Sequence, residues 1–138
     1  MNRKRILCID DSSDTIELIR LVLKKALRKA GLDCDFQGRT TGQEGIEWAH
    51  QNKPDLILLD ERLPNMGGWE VLERIRADNA LKNVDVIMLG RVISYRGDLP
   101  LRTLNVPHVD AWLLKPLDPR ELINTVCRLL NVNREMTA

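Results

Sequence analysis

The chain has 138 residues, of which 43% are hydrophobic and 30% are charged, and its formal net charge is +1. This length and composition predict one soluble globular domain with its own core. The small net charge gives no reason to expect nucleic acid or an anionic membrane as a partner. No apolar stretch approaches membrane-spanning length, and the first apolar run is too short for a signal peptide, so a cytoplasmic location is expected.

The three cysteines lie far apart in apolar surroundings, at Cys8, Cys34 and Cys127. Their spacing does not match that of paired metal ligands. Buried, reduced thiols are therefore expected.

Five short apolar segments predict strands, at residues 5–9, 34–38, 56–59, 84–89 and 109–114. The third segment consists of four consecutive aliphatic residues, which is typical of a strand buried on both faces of a parallel sheet. Asp60 ends this segment, and Pro64 prevents a simple continuation of it.

Helical spacing of apolar residues follows four of the predicted strands. The first helix is predicted over residues 15–30, after N-cap candidates at Ser12, Ser13 and Asp14 and before Gly31. A second helix is capped by Thr41 and runs to about residue 51. A third follows Gly67 and Gly68. The last begins at Asp118 and Pro119, with three apolar residues facing inward, namely Leu122, Val126 and Leu129.

Residues 91–108 are the hardest part of the chain to interpret. Gly97, Pro100 and Pro107 leave room only for a short or irregular fourth helix, with Asp98 as its candidate cap. The alternation of strands and helices predicts an α/β fold. We expect a single-domain, doubly wound, five-stranded parallel sheet in the flavodoxin-like order 2-1-3-4-5, with five helices. The domain should cover residues 1–131, and residues 132–138 should form a tail.

Charged residues follow three of the predicted strands. Asp10 and Asp11 follow the first strand, Asp60 ends the third, and Lys115 follows the fifth. The carboxyl ends of the strands form the ligand-binding edge of such a sheet. Carboxylates that meet there resist ionisation unless a cation neutralises them. A few oxygen ligands suit Mg²⁺, and a lysine can meet an anion.

This combination is suited to phosphoryl transfer, in which a carboxylate can act as the nucleophile. Each residue also has a simpler explanation. Asp10 and Asp11 could cap a helix, Asp60 could form a turn, and Lys115 before a proline is uninformative by itself. The occurrence of all these charged residues together at strand ends is much less probable by chance than any one of them alone.

The sequence resembles the receiver domains of two-component response regulators, which share the chemotaxis-protein-like fold. The resemblance covers residues 6–130. It is carried by the pair Asp10-Asp11, by the segment Leu-Leu-Asp-Glu-Arg-Leu-Pro-Asn-Met-Gly-Gly around Asp60, and by Leu-Leu-Lys-Pro at residues 113–116.

The resemblance implies that Asp60 accepts a phosphoryl group from the phosphohistidine of a histidine kinase or phosphotransfer protein. Mg²⁺ would be held by Asp10 or Asp11, by Asp60 and by the backbone carbonyl of Arg62. Lys115 would hold a phosphoryl oxygen. The domain would signal to a downstream protein through a changed surface, and it would assist its own phosphorylation and dephosphorylation without being an enzyme otherwise. A homodimer is compatible with this role, whereas direct binding of nucleic acid is not expected.

One departure from the family pattern affects the output. The fourth strand of a receiver domain normally ends in Thr or Ser, and this chain has Gly90 followed by Arg91. Trp112 lies where the family has its aromatic switch residue, usually Tyr or Phe. An alternative function is therefore a pseudo-receiver that binds proteins independently of phosphorylation.

Two enzyme-like classes are disfavoured. A phosphatase of the haloacid-dehalogenase type needs a second Asp two positions after the nucleophile, where this chain has Arg62. A nucleotide- or flavin-binding module would need a glycine-rich loop after the first strand, and none follows it.

Overall fold

The computed structural model describes residues 3–91 and 107–132. Five parallel strands form one sheet in the order β2-β1-β3-β4-β5. The strands are β1 (Arg3–Ile9), β2 (Asp33–Arg39), β3 (Leu56–Asp60), β4 (Asp85–Gly90) and β5 (Ala111–Leu114). The predicted fold class and strand order are confirmed.

The described residues form four helices: α1 (Ser13–Lys29), α2 (Gly42–Asn52), α3 (Gly68–Ala77) and α4 (Pro119–Leu130). Ser12 caps α1 and Thr41 caps α2 through their side chains, as the sequence predicts. The predicted short helix with Asp98 lies outside the described residues, as does most of the predicted tail. Among the described helices, none combines the length and apolar character needed to cross a membrane.

The helices cover both faces of the sheet, because consecutive strand residues point to opposite sides. In β3, Leu56 and Leu58 face the core under α1 and α4, whereas Ile57 and Leu59 face the core under α2 and α3. All four side chains are fully buried. This arrangement explains the unbroken aliphatic run and leaves the strand ends as the place for polar groups.

Several predicted boundaries shift by one or two residues, and two differences have a clear physical reason. In the last turn of α4 the buried residue is Leu130, whereas Leu129 is only half-buried, because Leu130 continues the i, i+4 row of Leu122 and Val126. The last strand begins at Ala111 and not at residue 109. Just before this strand, the carboxylate of Asp110 accepts the backbone N–H of Val86 in β4 at 2.8 Å. This side chain takes the place that a backbone carbonyl would have in a longer strand.

Arg76 joins three parts of the chain at the end of α3. Its guanidinium donates to the carbonyl oxygens of Lys82 (3.0 Å), Val84 (2.6 Å) and His108 (2.9 Å), and to the carboxylate of Asp110 (3.3 Å). The side chain is only 15% exposed, so water replaces these partners poorly. Arg76 therefore fixes the segments that lead into β4 and β5.

We expect Arg76→Ala to lower the free energy of unfolding by about 2–4 kcal/mol, since several acceptors lose a charged donor. Arg74 on the same helix is the matched control, because it is 51% exposed and its one ion pair within the described part of the chain is with Glu70, one turn away. Arg74→Ala should cost no more than about 0.5 kcal/mol. Urea unfolding measures both, and equal losses would contradict the assignment.

Candidate functional site

The register of the sheet brings the predicted site residues to one edge. Ile9 is level with Leu59, so the residues that follow them, Asp10 and Asp60, leave the sheet side by side. On the other side of β3, the register pairs Gly90 with Leu114. The backbone N–H of Lys115 donates to the carbonyl of Gly90 at 2.7 Å, which holds the start of the Lys115 side chain beside the strand ends.

Asp10 is the most enclosed charged residue of the site, with no exposed surface. One of its carboxylate oxygens accepts the backbone N–H of Ser12 at 2.9 Å. The other accepts a hydrogen bond from Lys115 Nζ at 2.7 Å. Asp10 therefore orders the turn into α1 as well as contributing charge. The simpler helix-cap explanation holds in part for this residue, although Ser12 is the N-cap itself.

Asp60 lies beside this ion pair and is also buried, at 5% exposure. Its Oδ1 is 3.5 Å from Lys115 Nζ and accepts the backbone N–H of Arg62 at 3.3 Å. Burial and the neighbouring charge of Asp10 raise the pKa of Asp60, and Lys115 offsets only part of this effect. The ionised Asp60 is thus held in an environment that opposes its charge.

Lys115 is the cation that partly neutralises the two buried carboxylates, Asp10 and Asp60. Burial by itself would lower the pKa of Lys115, but its hydrogen bond to Asp10 and the charges of Asp10 and Asp60 raise the pKa overall. The lysine therefore remains charged in the physiological range. The peptide bond between Lys115 and Pro116 is cis.

Three carboxylates of the described residues converge to form a candidate metal site. Oxygen atoms of Asp10, Asp11 and Asp60 lie within 4.8 Å of one another, and Asp11 is exposed whereas the other two are buried. This donor set consists only of hard oxygen atoms in a carboxylate-rich cleft, and it fits a small divalent cation such as Mg²⁺. The predicted fourth ligand, the backbone carbonyl of Arg62, stays a prediction.

The turn after Asp60 depends on a close approach of α3. A Cβ on Gly68 would lie 2.4 Å from the carbonyl oxygen of Asp60 and 2.8 Å from the Cα of Glu61. Only a glycine permits this contact, in which the Gly68 N–H donates to the carbonyl of Glu61 at 2.9 Å. Gly68, the second glycine of the pair that the sequence marked as a break, thus fixes the backbone of the acidic turn.

A cleft of about 420 Å³ opens over these residues. Its lining combines the acids with cations and small polar groups, namely Asp11, Ser12, Thr15, Asp60, Arg62, Gly90, Arg91 and Lys115. Arg62 and Arg91 are exposed at its rim. A cleft with a buried carboxylate and surrounding positive charge can receive a phosphoryl-sized anion.

Gly90 and Trp112, the two predicted switch positions, lie against each other, but Trp112 does not line the cleft. The Trp112 ring lies over Gly90 and packs against Trp69, at 5.8 Å between ring centroids. Trp69 Nε1 donates to a carboxylate oxygen of Glu61 at 3.0 Å. The sequence did not indicate Glu61 and Trp69 as neighbours of Trp112. Apart from the position of Glu61 directly after Asp60, no sequence signal could have found them.

Comparison with known proteins gives relatives across the whole chain. The DNA-binding response regulator MtrA of Mycobacterium tuberculosis (strain ATCC 25618 / H37Rv) is 31% identical over 137 residues, which are 99% of this chain and 54% of MtrA. The phosphate regulon transcriptional regulatory protein PhoB of Pseudomonas aeruginosa is 34% identical over 124 residues, 87% of this chain and 48% of PhoB. The chain spans about half the length of these curated relatives.

Solved structures share the fold. The chemotaxis response regulator CheY4 of Vibrio cholerae superimposes with a TM-score of 0.75 at 23% identity, covering 93% of this chain and 99% of that one. The signal receiver domain of a DNA-binding response regulator (merR) from Colwellia psychrerythraea gives a TM-score of 0.78 at 20% identity, covering 93% and 98%. The family model of the response regulator receiver domain matches residues 6–127. The chain belongs to the response regulator receiver domain family of two-component signalling systems.

Proposed function

We propose that the domain accepts a phosphoryl group on Asp60 and thereby carries a phosphorelay signal. The observation that carries this proposal is the contact of Lys115 with two buried carboxylates, at 2.7 Å to Asp10 and 3.5 Å to Asp60. A buried acid whose charge is opposed by its surroundings and which opens to a cationic cleft is suited to covalent catalysis. Family membership supports the same role.

In the proposed reaction, a carboxylate oxygen of Asp60 attacks the phosphorus of a phosphohistidine. A new O–P bond forms while the P–N bond breaks, and the bonding electron pair leaves with the imidazole nitrogen. Lys115 stands beside Asp60 and can pair with a phosphoryl oxygen as negative charge gathers there. The backbone N–H of Arg62 keeps the Asp60 carboxylate oriented.

A divalent cation, Mg²⁺ in the first instance, would be held by Asp11 and Asp60, with Asp10 beside them. When bound, it supplies positive charge for the phosphoryl oxygens. Asp10 already has Lys115 on one oxygen and the Ser12 N–H on the other, so Asp11 is the acid with most freedom to ligate. Among the described residues, Asp11 receives no side-chain hydrogen bond.

The partners follow from this chemistry. A histidine kinase or a phosphotransfer protein would supply the phosphohistidine, and a downstream protein would receive the signal. MtrA and PhoB are named as DNA-binding and transcriptional regulators, and this chain matches about half of each. Any contact with DNA would then come from another domain or protein.

The alternative function is a pseudo-receiver that binds its partner constitutively. Gly90 favours it, because the residue offers no hydroxyl to a phosphoryl group. The two functions differ in one measurable property, which is whether Asp60 becomes phosphorylated.

Incubation with acetyl phosphate and Mg²⁺ should add one phosphoryl group to the protein, with acetate as the leaving group. Intact mass measurement detects the adduct, which should be lost on treatment with hydroxylamine and should not form in the presence of EDTA. Asp60→Asn should abolish it, while Asp55→Asn, which changes an exposed acid at the opposite end of β3, is the control and should not. An unmodified wild-type protein would favour the pseudo-receiver.

Mg²⁺ should raise the free energy of unfolding of the wild type by about 2.7 kcal/mol at one hundred times its Kd, because a ligand that binds only the folded state stabilises that state by mass action. Asp11→Ala should abolish this gain and leave the metal-free stability nearly unchanged. Asp10→Ala should instead lower the metal-free stability by roughly 1.5–3 kcal/mol, since Lys115 and the Ser12 N–H lose an acceptor while Asp60 remains near Lys115. Urea unfolding with and without Mg²⁺ measures all three. Similar metal-free losses in both variants would contradict separate roles for the two acids.

The raised pKa of Asp60 also predicts a pH dependence of the metal-free protein. The folded state binds the proton of Asp60 more tightly than the unfolded state, so ionisation of Asp60 lowers stability as pH rises through its folded pKa. Asp60→Asn removes this loss. The variant should therefore melt higher than wild type at pH 7 in EDTA, and the difference should shrink toward pH 4. A lower melting temperature at pH 7 would refute this view of Asp60.

A further inference from the structure

The contact between Trp112 and Gly90 leaves no room for a side chain at position 90. A Cβ built on Gly90 would lie 2.9 Å from Trp112 Cζ2 and 3.0 Å from Glu61 Oε1. The first distance is shorter than real Cβ contacts, so any side chain here would have to displace the indole ring. Trp112 thus occupies the space that a residue 90 side chain would need.

The indole ring of Trp112 is held there by residues that are themselves fixed. Trp69 packs against it, with ring centroids 5.8 Å apart and planes inclined by 32°. Trp69 is tied to Glu61 by the 3.0 Å hydrogen bond from its Nε1. Glu61 is anchored through its backbone. Its N–H donates to the carbonyl of Leu89 at 2.8 Å, and its carbonyl accepts the N–H of Gly68 at 2.9 Å.

These four residues, Glu61, Trp69, Gly90 and Trp112, are here called the indole lock. Of them, only Gly90 lines the cleft over Asp60, and it contributes only backbone. An anion on Asp60 can bias the position of Trp112 only through a contact that differs between two positions of the ring. Outward movement of the ring would also leave an unfilled void beside Gly90, which is unfavourable.

We infer that the indole lock keeps Trp112 in one inward position whether or not Asp60 carries a phosphoryl group, with Glu61 as its positioning residue. The inference rests on the proposed phosphoacceptor function and concerns how that site is coupled to the surface. The face of the domain around β4 and β5 is then preset, and phosphorylation changes the charge of the cleft without changing this face.

The test is the indole N–H signal of Trp112 in ¹H–¹⁵N NMR spectra of the full chain, with Mg²⁺ present and beryllofluoride added as the phosphoryl mimic. Trp48→Phe and Trp69→Phe spectra assign the three indole signals. ¹⁹F NMR reports separately whether beryllofluoride is bound. With the mimic bound, the wild-type Trp112 signal should stay within its linewidth. A shift beyond the linewidth, with bound ¹⁹F signals present, would overturn the inference alone.

Absence of any bound ¹⁹F signal, together with absence of an acetyl phosphate adduct, would instead overturn the proposed function, and the inference would fall with it. The two failures are therefore distinguishable.

Gly90→Thr tests the steric part of the lock. Its Cβ should displace the ring, so the Trp112 signal should differ from wild type before any mimic is added, and it should move again on beryllofluoride binding. A signal at the wild-type position, unresponsive to the mimic, would show that the contact with Gly90 does not set the ring position.

Two substitutions of Glu61 test the lock without changing position 90. Glu61→Gln keeps an acceptor for Trp69 Nε1 and should leave the Trp112 signal near its wild-type position. Glu61→Ala removes the acceptor and should shift or broaden the signals of both Trp69 and Trp112. Equal spectra for these two variants would exclude Glu61 as the positioning residue. Loss of the adduct from Glu61→Ala but not from Glu61→Gln would contradict the separation of the lock from the phosphoacceptor.

Discussion

The repulsion among carboxylates at the strand ends, and its partial neutralisation by Lys115, is the interaction on which this site depends. Asp10 and Asp60 are both buried, and neither could remain ionised at low cost without a nearby cation. The ammonium group of Lys115 reaches both acids. It offsets part of the negative charge, and the three acids Asp10, Asp11 and Asp60 still outnumber it.

The sheet converts this local balance into fixed geometry. Strand register, and not loop conformation, sets how Asp10 lies beside Asp60, because the preceding residues of β1 and β3 are hydrogen-bonded neighbours. The aliphatic faces of these strands are completely buried, so a slip in register would expose a whole face to water. The hydrophobic core therefore keeps like charges close together at this edge.

Sequence patterns predicted most of this architecture because the physics there is local or periodic. Each of these features can be recognised from a few neighbouring residues. They are the aliphatic run in β3, the caps at Ser12 and Thr41, and the acids at strand ends. The hydrogen bonds of Arg76 were not predictable, since three of its four acceptors are backbone carbonyls that any sequence supplies.

The same limit applies to the surroundings of Trp112. Gly90 departs from the family pattern, but which group fills the space beside it depends on side-chain packing between three separate elements. Trp69 is eight residues after Glu61 and 43 residues before Trp112 in the numbering, so no spacing rule links them. The boundary of β5 was missed for a related reason, because a side chain, Asp110, takes the place of a strand carbonyl.

The two bonds of Asp10 have a consequence for how receiver-like sequences diverge. A descendant of this domain that no longer needed phosphorylation would still need Asp10 and Lys115, because they hold the turn into α1 and the end of β5 together. Selection for folding alone would therefore retain this pair. Asp11 is exposed, and Asp60 is unfavourable to the fold when ionised, so both would be free to drift. A related sequence that keeps both Asp11 and Asp60 is thus expected to be one that still uses phosphorylation.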